Sequence, residues 1–589
     1  MGIPGFNVWF SEKYAKAYVP LGRVRVDHLY IDLNSVLHTV MRRARNHNHF
    51  HKLLHKRLHS ILDVTGPTKS VMIAVDGPAP LAKLLTQRDR RKKTGRSVDE
   101  GETLTGVAIT PGTTFMLDLT HSLTYYCCTK MASKRFRDVV FELSDGTVKG
   151  EGEVKVLGRL ARHWYPEDPN DTHVILGDDA DLILMALTSY KENLFVANSG
   201  LNDGRLDTRV PVFSVNLLHQ QWARELVAGV VAGGQVPLES ALLHAKLDLT
   251  LIAILTKGND YLPGLRGASL EGGSRSGLWP GYQAAVGKHK GAAGGPLGPQ
   301  GSITSIDPDT GAPRLDASAL ARLLALAGVG GGADGRGGDE WRGSKAAADP
   351  QAYLRGCVWL LQMYLTGECP DYRFYYDGVA PTAAAIKATC EAAVSAGHRY
   401  IHLDTFGQSD PRAAQPLLPV ACALALLPSN CRHLAAPCVR HLMASPSPAQ
   451  SRAASEDGSG SGADGPASAS QPAAPGGGFD AEVYYQLYGD CSVCRSMTAD
   501  VARLQKELAS ARAERNAANN RLEAVRAGTA PFGEPPEEQL VAELDELDRK
   551  CEAAKSQLNA CETRRRSHVA SAHPYQRFPV EKLEEAAGT

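Results

Sequence analysis

Residues 173–181 read HVILGDDAD, a short apolar run that passes through a glycine into three aspartates. Such a run is typical of a buried strand that ends in an acidic turn. Segments of the same character lie at residues 26–34, 70–77, 139–146 and 249–260. Helical patterns stand among them, at residues 34–44, 82–93 and 114–130. This alternation predicts an α/β domain with a largely parallel sheet, whose ligands lie beyond the carboxyl ends of the strands.

Acidic residues follow these strands or precede a helix at seven positions. They are Asp32, Asp76, Glu151, Glu153, Asp179, Asp181 and Asp260. In extended backbone, residues two apart share a face, so Asp179 and Asp181 are candidates for one site. Glu151 and Glu153 would diverge inside a helix, and they converge only if the flanking glycines hold an irregular turn. Each acid taken alone is an ordinary turn or capping residue.

Seven carboxylates gathered at one sheet edge would need a counter-charge, because like charges repel strongly in a low dielectric. Hard divalent cations bind oxygen ligands, and Mg²⁺ is the usual ion where phosphates complete the shell, with Mn²⁺ as an alternative. Two such ions about 4 Å apart activate water and stabilise the leaving oxygen in phosphodiester hydrolysis. The pattern therefore predicts a metal-dependent phosphotransfer enzyme, and by itself it does not name the polymer.

A basic segment follows Asp76 closely. Lys83, Gln87, Arg90 and Arg91 have offsets of four, seven and eight, which places them on one helical face. The ordinary interpretation is a solvated helix face. The functional interpretation is a phosphate pocket, because arginine makes bidentate contacts with oxyanions.

The order and spacing of several motifs resemble the Xrn-type 5′→3′ exoribonucleases. The motifs are Met1-Gly-Ile-Pro-Gly-Phe, Tyr30-Ile-Asp-Leu-Asn with His38, Asp76-Gly-Pro-Ala-Pro, Gly150-Glu-Gly-Glu, Asp179-Ala-Asp-Leu-Ile and Gly258-Asn-Asp-Tyr-Leu-Pro. Similarity resumes at residues 359–381 and, more weakly, at 417–443. The sequence departs from the family pattern at Leu81, Val154 and Asp178, where the family commonly has an arginine, a histidine and an apolar residue.

The resemblance implies a PIN-like, flap-nuclease-related mixed sheet flanked by helices. It also implies Mg²⁺-dependent degradation of single-stranded RNA that carries a 5′-monophosphate, as in RNA turnover and processing. The seven acids match the family's metal-binding residues. Lys83, Gln87, Arg90 and Arg91 match its 5′-phosphate pocket. His38 matches the residue that stacks on the terminal base, Asn34 belongs to the same motif, and Phe374 is the best match for the facing aromatic residue.

Composition and motif order divide the chain into five parts. These are a nuclease domain (1–265), a Gly/Ala-rich insertion expected to be largely disordered (266–349), a helical region that completes the nuclease core (350–443), a disordered linker (444–479) and a helical hairpin (480–589). Two heptad segments separated by residues 528–536, with two glycines and three prolines, predict an antiparallel hairpin. Residues 500–566 of this coiled coil are a candidate site for a protein partner.

A second candidate metal site flanks the hairpin. Cys491 and Cys494 precede it and His568 and His573 follow it, with spacings that fit Zn²⁺ ligands. An antiparallel hairpin would bring its two ends together, which is what a structural zinc site needs. The alternative is two unrelated pairs of surface residues.

Composition limits the remaining possibilities. The 64 basic and 64 acidic residues give zero net charge, which does not exclude nucleic acid, because the distribution of charge decides binding. No apolar run reaches about 18 residues, and the N-terminus lacks a signal-peptide pattern, so we expect neither a membrane span nor secretion. Twelve cysteines are too few for a disulfide scaffold, which favours the nucleus or cytoplasm.

Two other functions remain open from the sequence. One is a structure-specific 5′ nuclease that acts on DNA or flaps, since a metal centre is indifferent to the 2′-hydroxyl. The other is a non-catalytic RNA-binding assembly protein that uses the hairpin to dock partners. The seven intact acids count against the second.

Overall fold

The computed structural model of the chain describes most of its length. The described residues are 3, 5–99, 101–161, 168–198, 206–232, 236–272, 277–288, 295–298, 300–327, 347–407, 415–443, 492–531, 533 and 535–572. They divide into two compact units, one of residues 1–90 and 102–422, the other of residues 91–101 and 423–589. Each unit is described separately below.

A seven-stranded mixed sheet forms the centre of the first unit. Its strands are β1 (Tyr18–Pro20), β2 (His28–Asp32), β3 (Ser70–Ala74), β4 (Val140–Ser144), β5 (His173–Leu176), β6 (Leu194–Ala197) and β7 (Pro211–Ser214). The spatial order is β1-β7-β6-β5-β2-β3-β4, and β4, β3, β2, β5 and β6 run parallel to one another. Strand β7 is antiparallel to both of its neighbours, β6 and β1. The chain therefore reverses its winding direction between β2 and β5, the place where α/β sheets commonly bind ligands.

Helices cover the sheet and continue the fold beyond it. They are α1 (Phe6–Lys13), α2 (Asn34–Met41), α3 (His47–Thr65), α4 (Leu81–Gly95), α5 (Thr114–Met131), α6 (Gly152–Ala161), α7 (Asp181–Thr188), α8 (Val215–Glu225), α9 (Ala228–Val231), α10 (Leu238–Lys257), α11 (Leu278–Gly287), α12 (Ala317–Leu326), α13 (Pro350–Thr366), α14 (Ala383–Ser395) and α15 (Pro419–Leu426). β2 and β5 are buried along their whole length, which agrees with their apolar sequences.

The strands and helices predicted between residues 26 and 181 are confirmed by β2, β3, β4 and β5 and by α2, α4 and α5. The strand predicted at residues 249–260 is wrong, because residues 249–257 belong to α10. Every side chain from Ala245 to Leu255 in α10 is buried, so its apolar run lacks the amphipathic period that marks a helix.

The Gly/Ala-rich segment 266–349 contains more structure than its composition predicts. Its described residues form α11, α12 and the strands β8 (Thr304–Ile306) and β9 (Pro313–Asp316). In a second sheet, β9 lies between β8 and β10 (Tyr400–Ile401) and pairs with both. Trp279 and Tyr282 are fully buried, and the Trp279 Nε1–H donates to the Tyr14 hydroxyl at 3.0 Å. A few large side chains thus anchor this segment to the core. The glycine run 330–338 lies outside the described residues.

Two long antiparallel helices, α16 (Ser492–Arg526) and α17 (Glu537–Ala572), dominate the second unit. Arg526 pairs with Glu537 near the turn, and Arg515 pairs with Asp548 further from it. Residues earlier in α16 therefore contact residues later in α17, as antiparallel helices require. Leu504 and most other apolar heptad residues of α16 are buried between the helices, whereas Leu544, Leu547 and Leu558 of α17 are half-buried. These contacts confirm the predicted hairpin.

The architecture confirms the predicted fold class, a mixed sheet flanked by helices with a C-terminal antiparallel helical hairpin. Within the described residues, no helix is long and apolar enough to cross a membrane. The predicted linker 444–479 lies outside the described residues. So do Cys491, His573 and the side chains of Cys494 and His568, and the zinc site therefore stays a prediction. A protein partner of the hairpin and a nuclear or cytoplasmic location also stay predictions.

One buried carboxylate links α10 to the second sheet. Asp248 is fully buried, and its Oδ2 accepts from the Ile303 N–H at 3.1 Å. Its Oδ1 accepts from the N–H and the hydroxyl of Thr304, at 2.8 and 2.6 Å. We expect Asp248→Ala to destabilise the protein by about 3 kcal/mol, because buried donors lose their acceptor. Thermal melting measures this, and Asp309→Ala, at an exposed position nearby, should leave the melting temperature unchanged.

Candidate active site

The carboxyl ends of β2, β3 and β5 bring the predicted acids to one edge of the sheet. Asp32 is the last residue of β2, and Asp76 follows the end of β3 by two residues. Asp179 lies in the turn after β5, and Asp181 begins α7. Because these three strands are parallel neighbours, their ends converge as the sequence predicts.

The turn before α6 places both glutamates in the same site. Gly150 has a φ of 97°, which L side chains rarely adopt. The Gly152 N–H donates to Asp76 Oδ1 at 2.8 Å, and a Cβ on Gly152 would lie 2.6 Å from Asp32 Oδ1. Glu151 and Glu153 are both buried. The irregular glycine turn that the sequence required for their convergence is therefore present.

Burial and mutual repulsion act on the protonation of these acids. Burial raises the pKa of Asp32 well above its ordinary value, and the charges of Asp76 and Asp179 raise it further. Burial, followed by repulsion from Asp179, also raises the pKa of Glu153, and the same two causes raise that of Asp181 to about 7. These effects show that the carboxylates interact as one cluster.

Lys83 lies inside the acid cluster as its buried counter-charge. Its Nζ is 2.5 Å from Glu151 Oε2 and 2.8 Å from Asp260 Oδ2, and its side chain is 8% exposed. Arg90 contacts the other oxygen of Asp260 at 2.7 Å. Burial would raise the pKa of Asp260, but Lys83 and Arg90 outweigh it and lower that pKa. The structure thus places Lys83, predicted for the phosphate pocket, in direct contact with two of the predicted metal ligands.

Neutral donors also contact the acids, and the sequence did not identify them. The Tyr261 hydroxyl donates to Glu151 Oε1, and the Tyr364 hydroxyl donates to Asp181 Oδ2 at 3.1 Å. The N–H of Ile3 donates to Asp181 Oδ1 at 3.0 Å. Tyr261 directly follows Asp260, which was the available signal, whereas Tyr364 belongs to an apolar helical stripe that predicts only a core position.

The other predicted phosphate-pocket residues lie on α4 with Lys83. Gln87 is buried, and among the described residues its carboxamide oxygen has no hydrogen-bond partner. The Arg90 side chain is about one third exposed. Arg91 follows on the same helix and is half-buried. Lys83 and Arg90 thus contact the acids directly, and Gln87 lies between them on the same helix.

The predicted base-binding residues occupy different surroundings. Asn34 begins α2, and its Oδ1 accepts from the Asp76 N–H at 3.2 Å, so it supports the acid turn. His38 lies one turn further along α2 and is partly exposed. Phe374 is 7% exposed, with its ring centroid 5.2 Å from that of Trp359. Stacking on a base would require more of the Phe374 ring to be uncovered.

The chemistry of the donors fits a hard divalent cation. Seven carboxylates converge on the edge, whereas Lys83 and Arg90 supply two positive charges in contact with them. In their present conformations, no group of three or more Asp, Glu, His or Cys side chains among the described residues is arranged to hold a metal ion. The fit to a cation thus lies in the type and charge of the ligands, and binding would require some of these side chains to turn.

Comparisons with known proteins match this part of the chain. Residues 1–199 match the family described as XRN 5'-3' exonuclease N-terminus. The chain is 29% identical over 298 residues to 5'-3' exoribonuclease 1 of Homo sapiens, covering 45% of this chain and 17% of that protein. It is 28% identical over 356 residues to 5'-3' exoribonuclease 2 of Schizosaccharomyces pombe, covering 46% of this chain and 35% of that protein.

The matched region spans well under two thirds of these relatives. Among solved structures, the catalytic core of Rad2 in complex with DNA substrate covers 44% of this chain and 63% of its own, with 13% identity and a TM-score of 0.25. That likeness is too distant to support a conclusion.

The sheet, its acid cluster and the sequence match define the N-terminal region as an XRN-type exonuclease domain. Over about 45% of its length, the chain is similar to 5'-3' exoribonucleases of the Xrn type.

Removal of Lys83 tests its role as counter-charge. We expect Lys83→Met to destabilise the metal-free protein by about 3–5 kcal/mol, because it leaves Glu151 and Asp260 without their shared partner. Added Mg²⁺ should raise the melting temperature of this variant more than that of the wild type. Arg159→Met, which breaks the ion pair with Glu142 elsewhere, should lose stability without gaining a larger response to Mg²⁺. Equal responses to Mg²⁺ in Lys83→Met and wild type would contradict the assignment.

Proposed function

We propose that this chain is a 5′→3′ exoribonuclease that hydrolyses phosphodiester bonds of 5′-monophosphorylated RNA with Mg²⁺. The observation that carries the proposal is the convergence of seven acids at one sheet edge beside a helix whose basic residues contact them. The similarity to 5'-3' exoribonucleases supports RNA as the substrate and 5′→3′ as the direction.

The acids would hold Mg²⁺ through Asp32, Asp76, Glu151, Glu153, Asp179, Asp181 and Asp260. Bound Mg²⁺ supplies a water of lowered pKa and stabilises the leaving oxygen. The protein's part is to exclude bulk water, since most of these carboxylates are buried, and to fix their positions through the glycine turn and its hydrogen bonds. Mn²⁺ has the same ligand preference and should substitute for Mg²⁺.

The α4 residues would select the end of the substrate. Arg90 and Gln87 present a guanidinium and a carboxamide beside the acids, and a 5′-monophosphate is the group that a guanidinium binds well. A terminal phosphate held next to the hydrolytic centre restricts cleavage to the first internucleotide bond. His38, partly exposed on α2, would stack on the first base, which contributes about 1–3 kcal/mol without sequence preference.

The acid assignment is tested by single substitutions. We expect Asp181→Ala to reduce cleavage of 5′-monophosphorylated RNA by at least about a hundredfold, since losing even an outer partner of a metal ligand typically costs 10–100-fold. Asp179→Ala should behave alike. The matched control is Asp138→Ala, whose carboxylate is 88% exposed and lies just before the amino end of β4, at the edge of the sheet opposite the acids. Full activity of both site variants with Mg²⁺ would contradict the proposed metal centre.

Arg90→Ala tests the end specificity. We expect the preference for 5′-monophosphate over 5′-hydroxyl RNA to fall roughly tenfold or more, because a charge-assisted hydrogen bond worth about 1.5–3 kcal/mol is lost. Initial rates on the two RNAs measure this ratio. Lys93→Ala, an exposed basic position on the same helix, should keep the wild-type preference. An unchanged ratio in Arg90→Ala would contradict the phosphate pocket.

A side-by-side digestion separates RNA from DNA as substrate. Single-stranded RNA and DNA of one sequence, each with a 5′-monophosphate, are incubated with the protein and Mg²⁺. Faster loss of RNA supports the proposal. Faster loss of DNA, or cleavage only at flap junctions, identifies a structure-specific 5′ nuclease. If neither substrate is cleaved with Mg²⁺ or Mn²⁺, the result favours a non-catalytic RNA-binding assembly protein.

A further inference from the structure

Two tyrosine hydroxyls contact the acid cluster from outside the seven acids and the basic helix. The Tyr261 hydroxyl donates to Glu151 Oε1, while Lys83 contacts Glu151 Oε2. The Tyr364 hydroxyl donates to Asp181 Oδ2 at 3.1 Å. Each tyrosine therefore holds one oxygen of a carboxylate whose other oxygen has a different partner, which restricts rotation of the carboxylate plane.

Both rings are anchored in the protein interior. Tyr261 and Tyr364 are 0% exposed. The Tyr261 ring meets Trp359 edge to face, with 5.5 Å between centroids. Trp359 and Tyr364 both belong to α13, which lies outside the residues that match the family's N-terminal model. The later part of the chain thus contributes directly to the site that its N-terminal part builds.

Asn259 determines the direction of the Tyr364 hydrogen bond. Its Oδ1 accepts from the N–H groups of Tyr261 and Leu262, both at 3.0 Å, which assigns its Nδ2 as the donor to the Tyr364 hydroxyl at 3.3 Å. Because the hydroxyl oxygen accepts from Asn259, its single proton is directed to Asp181. A continuous set of hydrogen bonds therefore runs from the backbone of the 259–262 turn to Asp181.

The two tyrosine hydroxyls differ from Lys83 in their effect on the negative charge of the acid cluster. A lysine cancels negative charge that a cation would otherwise balance, whereas a neutral hydroxyl orients a carboxylate and leaves its charge intact. Like-charged carboxylates turn apart when nothing holds them. Outer partners that fix the orientation of ligands commonly set metal affinity for this reason.

We propose that Tyr261 and Tyr364 are positioning residues, whose hydroxyls hold Glu151 and Asp181 in the orientation that binds a divalent metal ion. This inference rests on the proposed function, since it takes the acid cluster as the metal site.

The test compares Tyr261→Phe and Tyr364→Phe with a matched control. Tyr282→Phe is suitable, because Tyr282 is also fully buried and its hydroxyl donates to a buried carboxylate, Asp248, outside the acid cluster. Mn²⁺ binding to the full chain is measured without RNA by calorimetry or electron paramagnetic resonance. We expect roughly tenfold weaker binding in each site variant and wild-type binding in Tyr282→Phe.

A double-substitution cycle separates positioning from a general loss of stability. In the Asp181→Asn background, Tyr364→Phe should weaken Mn²⁺ binding no further, because the carboxylate it orients is gone. With RNA present, the site variants should need more Mg²⁺ for half-maximal cleavage and recover most of their rate at saturating Mg²⁺.

The outcomes distinguish this inference from the proposed function. Wild-type Mn²⁺ affinity in both site variants, equal weakening in all three tyrosine variants, or no Mn²⁺ binding by the wild type would each overturn it. If the wild type binds Mn²⁺ but cleaves no RNA, the exoribonuclease proposal fails, and the binding comparison still decides the role of the tyrosines.

Discussion

Repulsion among the acidic side chains at the carboxyl edge of the sheet is the constraint that the rest of the site is built around. Two like charges 4 Å apart cost about 4 kcal/mol at an effective dielectric constant of 20. Burial raises the pKa values of Asp32, Glu153 and Asp181, and this repulsion raises them further. Lys83 and Arg90 offset part of the repulsion through direct ion pairs. The charge that remains is what a divalent cation would balance.

Close approach of these carboxylates depends on glycines at which a side chain would displace a neighbouring group. A Cβ on Gly152 would meet Asp32 Oδ1 at 2.6 Å, and one on Gly177 would meet Leu182 Cδ1 at 2.5 Å. Gly258, with a φ of 66°, shapes the turn that presents Asp260. Glycine is therefore favoured at these three positions for steric reasons, because each one lets a strand or turn bring its acid to the common edge.

The parts of this site that the sequence could predict are local ones. A short apolar run that ends in aspartate predicts both a strand and the acid at its end, and parallel pairing then brings the acids together without further information. The contact of Lys83 with two acids depends on distances among α4, α6 and the 259–262 turn, which no spacing encodes. The sequence also did not predict that residues 249–257 are helical, or that Trp279 anchors segment 266–349 to the core. In both cases burial in the folded protein overrides what periodicity and composition indicate.

Lys83 cannot serve the acids and a phosphate equally at the same moment. In the metal-free arrangement its ammonium lies within 2.8 Å of both Glu151 and Asp260, so its charge is balanced by these two carboxylates. A divalent cation taken up by the same carboxylates would compete with it, and a displaced ammonium on α4 would then be available to an oxyanion beside Arg90. The position of Lys83 in the acid cluster and its predicted place in a phosphate pocket are therefore compatible as two states of one side chain. The acid cluster and the basic helix, which cancel in the net charge of the whole chain, act on each other directly at this edge of the sheet.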